Sequence, residues 1–396
     1  MCAYIKLISV FTFAIMLTSV GLSQSNYMAS SPDKNIRLVV SRNDAGEIKY
    51  SLSYKNKDVI KPSSVGFILS KPEVKLTNFS IAAVDTSSFD ETWKPVWGEV
   101  SIIRNNYEEL TLHLKDRSGS GMVLNLIFRV FNDGIGFRYE FPKQDAVNYF
   151  IVADELTQFA LSGDNKTFWI PGDYDSNEYP YNTTKLSEVD ALTAANKEKD
   201  IAVKSLIGAN AVQTPLMMKS TEGLYINIHE AALLNYPAMD LLLNKQTLTL
   251  TSTLVPDAVG NKAYMHAPCK TPWRTIVVSD KAADILASKL ILNLNDPANI
   301  GDVSWIKPEK FIGVWWEMHI GKGTWDMASG KHAANTANVK KYIDFAAKYG
   351  FNGVLVEGWN DGWEDWFGNW KENVFDFVTP YADYNIDELT AYAKSK

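Results

Sequence analysis

The sequence predicts a large antiparallel β-sandwich followed by the first two strand–helix units of a parallel α/β barrel. Three observations carry this. From Asn35 to about Asn295, short alternating runs are separated by polar turns, the pattern of an all-β sandwich. After Pro308 the period changes, and helical stripes alternate with short apolar runs. Residues 354–366, VLVEGWNDGWEDW, then run a buried strand directly into a loop of Trp and carboxylates. In a parallel barrel the strand ends build the active site.

The elements follow in chain order. Ile36–Ser41 and Ile48–Tyr54 flank Asn43-Asp44-Ala45-Gly46, a hairpin signal. Leu110–Leu114 alternates, Val123–Val130 continues in the same style, and Asn132-Asp133-Gly134 turns into Phe137–Phe141. Leu224–Ile228, Thr247–Leu254 and Arg274–Val278 read as further strands. Beyond Pro308, Lys310–Trp316 is an apolar strand, and Gly321–Gly330 is a Gly-rich loop. Val339, Tyr342, Ile343, Ala346 and Ala347 fall on one helical stripe, capped by Asn335 or Thr336 and ended by Gly350. Phe351–Glu357 is the second buried strand. Asn385 caps a last helix with Glu388 as capping-box partner and Ile386, Leu389 and Ala393 as its inner stripe. The expected domains are a signal peptide over 1–23, a β-sandwich over 24–300 and the start of a barrel over 301–396. Two strands cannot close an eight-stranded barrel, and the text stops inside a helix, so the expectation is an N-terminal fragment of a longer protein.

Composition narrows the function. A net charge of −7 with 21% charged residues shows no basic stripe, which argues against a nucleic-acid partner. Lys6 followed by the apolar run Leu7–Leu22 and the small residues around Gly21-Leu22-Ser23 reads as a secretion signal, with the mature chain starting near Gln24. The run is shorter than a spanning helix needs, so no membrane partner is expected after cleavage. Cys269 is then the only mature cysteine, which excludes an internal disulfide. The five histidines show no zinc spacing, and no phosphate loop, dinucleotide fingerprint or nucleophile elbow occurs.

Two constellations carry chemistry. Eight Trp lie between Trp305 and Trp370. The first strand end offers Trp315, Trp316, Glu317 and His319, and the second offers Glu357, Trp359, Asn360, Asp361, Trp363, Glu364 and Asp365. Indole faces stack on sugar rings, and carboxylates grip hydroxyls or move protons in glycoside hydrolysis. Acidic loops are most often just solvated, but Glu357 sits at the strand end itself, where a side chain points into a barrel mouth. The second constellation is FWIPGDYDSNEYPY, 168–181, where Asp173, Asp175, Asn177 and Glu178 crowd oxygen donors as Ca2+ prefers. It is not an EF-hand, because Glu178 stands where Gly is needed and Thr184 stands at the twelfth position. Spacing alone favours a polar surface turn on an aromatic base.

The chain resembles glycoside hydrolase family 97, and within it the calcium-dependent α-glucosidases of periplasmic starch use. The residues that carry this are FDETWKPVWGE (89–99), FNDGIGFRYEFP (131–142), FWIPGDYDSNEY (168–179), GLYINIHEAAL (223–233), TPWRTIVVSD (271–280), IGVWWEM (312–318), HAANTANVKKYIDFAAKYGF (332–351) and VLVEGWNDGWEDWFGNW (354–370). The resemblance implies an N-terminal β-supersandwich, a (β/α)8 catalytic barrel and a C-terminal β-domain. It implies that Glu178 is a calcium ligand, reversing the preference from spacing, and that Trp315 or Trp316 and Glu357 contact substrate, with Trp359 and Asn360 beside them. The family's acid, bases and remaining calcium ligands are Glu residues on later strands, so no catalytic residue is carried over and this chain alone is expected to be inactive and to bind calcium weakly or not at all. The implied activity is hydrolysis of α-glucosides such as maltooligosaccharides. The retaining α-galactosidase branch of the family and a non-catalytic carbohydrate-binding protein are the alternatives. Oligomeric state is left open.

Overall fold

The computed structural model describes residues 25–199, 201, 203–366 and 374–396, so the expected signal peptide and residues 367–370 of the last motif lie outside the described residues. The chain divides into two compact units between Pro297 and Ala298.

The first unit is antiparallel β. Eight strands form one sheet, in the spatial order Ser25–Ser30, Ile36–Arg42, Ile48–Tyr54, Lys57–Ser64, Gln158–Leu161, Thr249–Leu254, Met239–Asn244 and Ala211–Gln213. A ten-stranded sheet runs from Asn182–Lys185 through Tyr225–Ala231, Trp273–Ser279, Gly134–Phe141 and Val123–Phe131 to the long pair Ile103–Asp116 and Phe79–Trp93. A third, four-stranded sheet contains Phe67–Lys71 and Tyr149–Glu155. Alternation explains why these residues make strands. In Ile48–Tyr54 every second residue, Ile48, Tyr50, Leu52 and Tyr54, is buried in the main core. Trp273–Ser279 is buried throughout. Its Ile276 and Val278 enter the main core, whereas Trp273 and Val277 pack with Leu290 and Leu294 in a second cluster.

The predicted strands are present, most of them longer than expected, while Thr249–Leu254 starts two residues later than expected and Tyr225–Ala231 one residue later, and one turn is tighter than expected. Phe131 pairs with Gly134, so Asn132 and Asp133 alone make the turn and Gly134 is already strand. The pairing of Phe79–Trp93 with Ile103–Asp116 exceeds the expected Leu110–Leu114 at both ends. Residues 85–92 lie exposed, so no one-sided burial imprints an alternating pattern there.

The second unit is α/β. Phe311–Val314 and Gly353–Val356 pair in parallel, with Phe311 opposite Gly353 and Val314 opposite Val356. Helix Thr336–Tyr349 is the crossover, as a parallel pair requires. The Asn335 side chain accepts from the Asn338 N–H at its start, and Gly350, in the left-handed region, returns its N–H to Ala346 at the end. Both strands are shorter than predicted, because Trp315 and Trp316 already belong to the turn that continues to His319 and Glu357 to the following loop.

The last helix, Ile386–Ser395, corrects two expectations. Asn385 caps it by accepting from the Glu388 N–H, but the Glu388 carboxylate pairs with Lys340 at 2.5 Å instead of closing a capping box. The Asn385 N–H is taken by the Thr336 hydroxyl. Of the expected inner stripe only Leu389 is buried; Ile386 and Ala393 are exposed. Phe311, Phe345 and Leu355 are exposed as well. Cores of such different extent should resist protease unequally. Limited trypsin digestion is expected to leave a product ending near Pro297, and persistence of the intact 396-residue chain would contradict this.

Candidate active site

The ends of the two parallel strands bring the predicted aromatic residues together. Trp315 and Trp316 follow Val314, with ring centroids 5.6 Å apart, and are 40% and 60% exposed. Trp315 packs on His319 at 4.3 Å, and His319 meets Trp325 edge-on at 5.3 Å. Trp325 in turn stacks on Trp363 at 4.6 Å with only 16° between the planes. Aromatic rings, with His319 bridging two indoles, thus run from the first strand end to the loop of the second.

Glu357 follows directly on the second strand, and its N–H donates to Val314 O at 3.2 Å, one further rung of the parallel ladder. Among the described residues its carboxylate has no hydrogen-bond partner. The neighbouring carboxylates differ. Glu317 accepts from Asn338 at 2.7 Å and from Tyr342 at 3.0 Å, so it ties its loop to the crossover helix. Burial and that contact push the Tyr342 hydroxyl up to about 12. Glu364 accepts from Tyr381, whose hydroxyl is raised by burial and by this carboxylate. Asp361 and Asp365 make no side-chain bonds among the described residues.

Two predicted contacts lie deeper. Trp359 is half-buried against the core of the second unit and 6.0 Å from the Tyr384 ring. Asn360 is 3% exposed, donates to Asp361 O and accepts from the Trp363 indole at 3.4 Å. Both support the loop from beneath.

One organising residue escapes sequence reasoning. His332 is buried, with Nε2 2.7 Å from Gly358 O and Nδ1 2.8 Å from the Asp383 carboxylate. Each ring nitrogen thus faces an oxygen partner. The peptide after Glu357 is thereby fixed to the loop before the last helix. Gly358 itself has φ +75°, and a Cβ there would lie 2.9 Å from Trp325 O. No side chain other than hydrogen fits without moving the loop.

In the 168–181 segment, two of the four oxygen donors, Asp173 and Asp175, are engaged. Asp173 is buried. Its Oδ1 accepts from the N–H groups of Asp175, Ser176 and Ser205, and its Oδ2 from the Tyr179 hydroxyl at 2.6 Å. Burial opposes its ionisation, but these bonds hold its carboxyl below the usual range. Asp175 accepts from the Ser205 hydroxyl. Asn177 and Glu178 are exposed. Among the described residues no group of three or more His, Cys, Asp or Glu is arranged to hold a metal ion. The segment forms the polar turn that its spacing favours. Asp173 is the anchor of a turn, and Glu178 is a free carboxylate able to serve as one ligand among others, not a cage.

The first unit also holds a buried ionic cluster. Arg274 is fully buried and forks onto Glu155 with Nε–Oε1 2.9 Å and Nη2–Oε2 2.6 Å, while Nη1 reaches Glu230 at 2.6 Å. Thr157 and Tyr236 add donors to Glu155 at 2.7 and 3.0 Å. Glu155 is held below its usual range because Arg274 outweighs burial, whereas burial leaves Glu230 above it.

Known proteins match most of the chain. The family model described as Glycosyl-hydrolase 97 N-terminal matches residues 29–297, and the model Glycoside hydrolase 97 matches residues 315–396. A retaining alpha-galactosidase of Bacteroides thetaiotaomicron is 26% identical over 97% of this chain and 57% of its own length. A solved glycoside hydrolase family 97 enzyme from Pseudoalteromonas sp., in complex with acarbose, is 40% identical with a TM-score of 0.81, over 93% of this chain and 53% of that one. The same identity and coverage hold for a structure from that organism in complex with panose. A β-arabinopyranosidase at 19% identity and TM-score 0.70 shares the fold. The chain thus spans about half the length of these relatives. By both family models and by the 40% identical structures, the chain belongs to glycoside hydrolase family 97.

Proposed function

We propose that this chain supplies the sugar-gripping side of an exo-acting α-glucosidase. The observation that carries the reading is Glu357, an unpaired carboxylate at the end of the second parallel strand, beside the Trp315–Trp316–Trp325–Trp363 wall. Its oxygens accept from sugar hydroxyls, and Trp315 and Trp316 offer faces for stacking. Trp359 and Asn360 shape the loop below. The ligands of the 40% identical structures support this substrate class, since panose is built of α-linked glucose units. The relative at 26% identity favours an α-galactoside instead, the second reading.

No residue of this chain is assigned as acid or base in this proposal. Calcium, when bound, would polarise substrate or water near the site. Glu178 would supply one carboxylate ligand to such an ion. The Lys6 to Ser23 segment would direct the protein to the periplasm.

The test is expression of the complete reading frame and assay of p-nitrophenyl α-glucoside and α-galactoside, with and without chelator. Chelator-sensitive release from the α-glucoside is expected. Faster release from the α-galactoside would favour the second reading, and no release from either would overturn the proposal.

A further inference from the structure

A cavity of about 350 Å3 in the first unit holds polar groups that neither the sandwich nor the proposed site uses. Asp173, Tyr174, Gln213, His229, Glu230 and Asp240 line it. Most are engaged. Asp173 is saturated by its turn, and Glu230 accepts from Arg274 and from the Met239 N–H. Gln213 donates to the carbonyls of Pro171 and Ser176.

Asp240 differs. It sits in strand Met239–Asn244, between Ala211–Gln213 and Thr249–Leu254, and is 5% exposed. Its backbone serves the ladder, but its carboxyl has no hydrogen bond or ion pair among the described residues. The His229 imidazole also lines the cavity, with its Nδ1 buried behind. A nearly buried carboxyl that lines a cavity without a protein partner points to something that pairs with it there.

The chemistry of the two groups selects the ligand. Burial first, then the nearby Glu230 and Asp173, pushes Asp240 up to about 8. Burial lowers His229. Near neutral pH both groups are uncharged, and each can donate and accept. A metal ion needs ionised ligands in number, and no such group is assembled among the described residues. A neutral ligand bearing many hydroxyls matches donor-and-acceptor groups, and the Tyr174 ring adds an aromatic wall. The cavity also falls within the size of small-ligand pockets, about 300–1,000 Å3.

We propose that this cavity is a carbohydrate subsite that takes a neutral pyranose ring through the Asp240 carboxyl and the His229 imidazole. It goes beyond the function proposed above, since Glu357 has no part in it.

The test is titration of the 396-residue chain with methyl α-glucopyranoside and, separately, methyl α-galactopyranoside, following the His229 ring resonance by NMR and affinity by calorimetry. A saturable His229 shift is expected with at least one glycoside. Asp240→Leu should weaken binding by about tenfold or more, the loss of roughly 1.4 kcal/mol. Asp240→Asn should stay within a few-fold of the parent, and Glu357→Gln should leave the shift unchanged. Should Asp240→Leu fail to fold, His229→Phe read by calorimetry is expected to show the same loss. Absence of a saturable shift, a shift abolished by Glu357→Gln, or a larger response to calcium alone would overturn the proposal. Hydrolysis by the complete reading frame is read separately, so either result stands without the other.

Discussion

Replacing Arg274 by Met is expected to destabilise the first unit by roughly 3–5 kcal/mol, because it strands two buried carboxylates. The guanidinium is fully buried and reaches Glu155 twice and Glu230 once. Removing it takes away the charge that keeps Glu155 ionised against burial. Glu230 already titrates above its usual range, so it gives up its charge more readily. Glu230→Gln is accordingly expected to cost much less than Glu155→Gln. Arg274→Lys should fall between, since a lysine keeps the charge but cannot reproduce the two-pronged contact. Urea midpoints at constant slope measure the series. An Arg274→Met variant within about 1 kcal/mol of the parent would mean that the cluster contributes little.

Asp240→Asn is expected to raise stability at neutral and alkaline pH, by about 2–5 kcal/mol at pH 8, with no gain at pH 4. The folded protein holds Asp240 up to about 8, chiefly by burial, against an ordinary value of 3.8. Below the unfolded value both states are protonated, and the parent has its full stability. Between the two values the unfolded chain releases a proton that the folded chain keeps, so stability falls as pH rises. The Asn variant has no proton to release and follows no such decline. The difference between the two proteins should therefore grow from pH 4 to pH 8 and then level off. A difference independent of pH would show that Asp240 titrates normally in the folded state.

Legibility in the sequence follows the distance over which a feature is built. Strands with one buried face, such as Ile48–Tyr54, alternate visibly, and helix Thr336–Tyr349 carries both its stripe and its caps. The strand-end position of Glu357 is readable because a β-branched run stops at it. The Arg274 cluster is not, because its partners lie 119 and 44 residues away, and one Arg in an apolar strand announces nothing locally. The clamp from His332 to Gly358 spans 26 residues and is hidden for the same reason. The turn at Asp173 is readable from its spacing for the opposite reason: an Asp that accepts from the N–H groups two and three residues on builds a local turn, and that option competes for the oxygens a metal would use.

Whether Glu357 grips substrate at the end of the second strand is tested most directly by kcat/KM for the α-glucoside in the complete protein, compared with Glu357→Gln. A hydrogen bond from a charged acceptor contributes about 1.5–3 kcal/mol, so a fall of roughly 10- to 100-fold is expected, with urea stability unchanged. A Glu357→Gln enzyme that retains kcat/KM within about twofold, a difference under roughly 0.5 kcal/mol, would contradict that role.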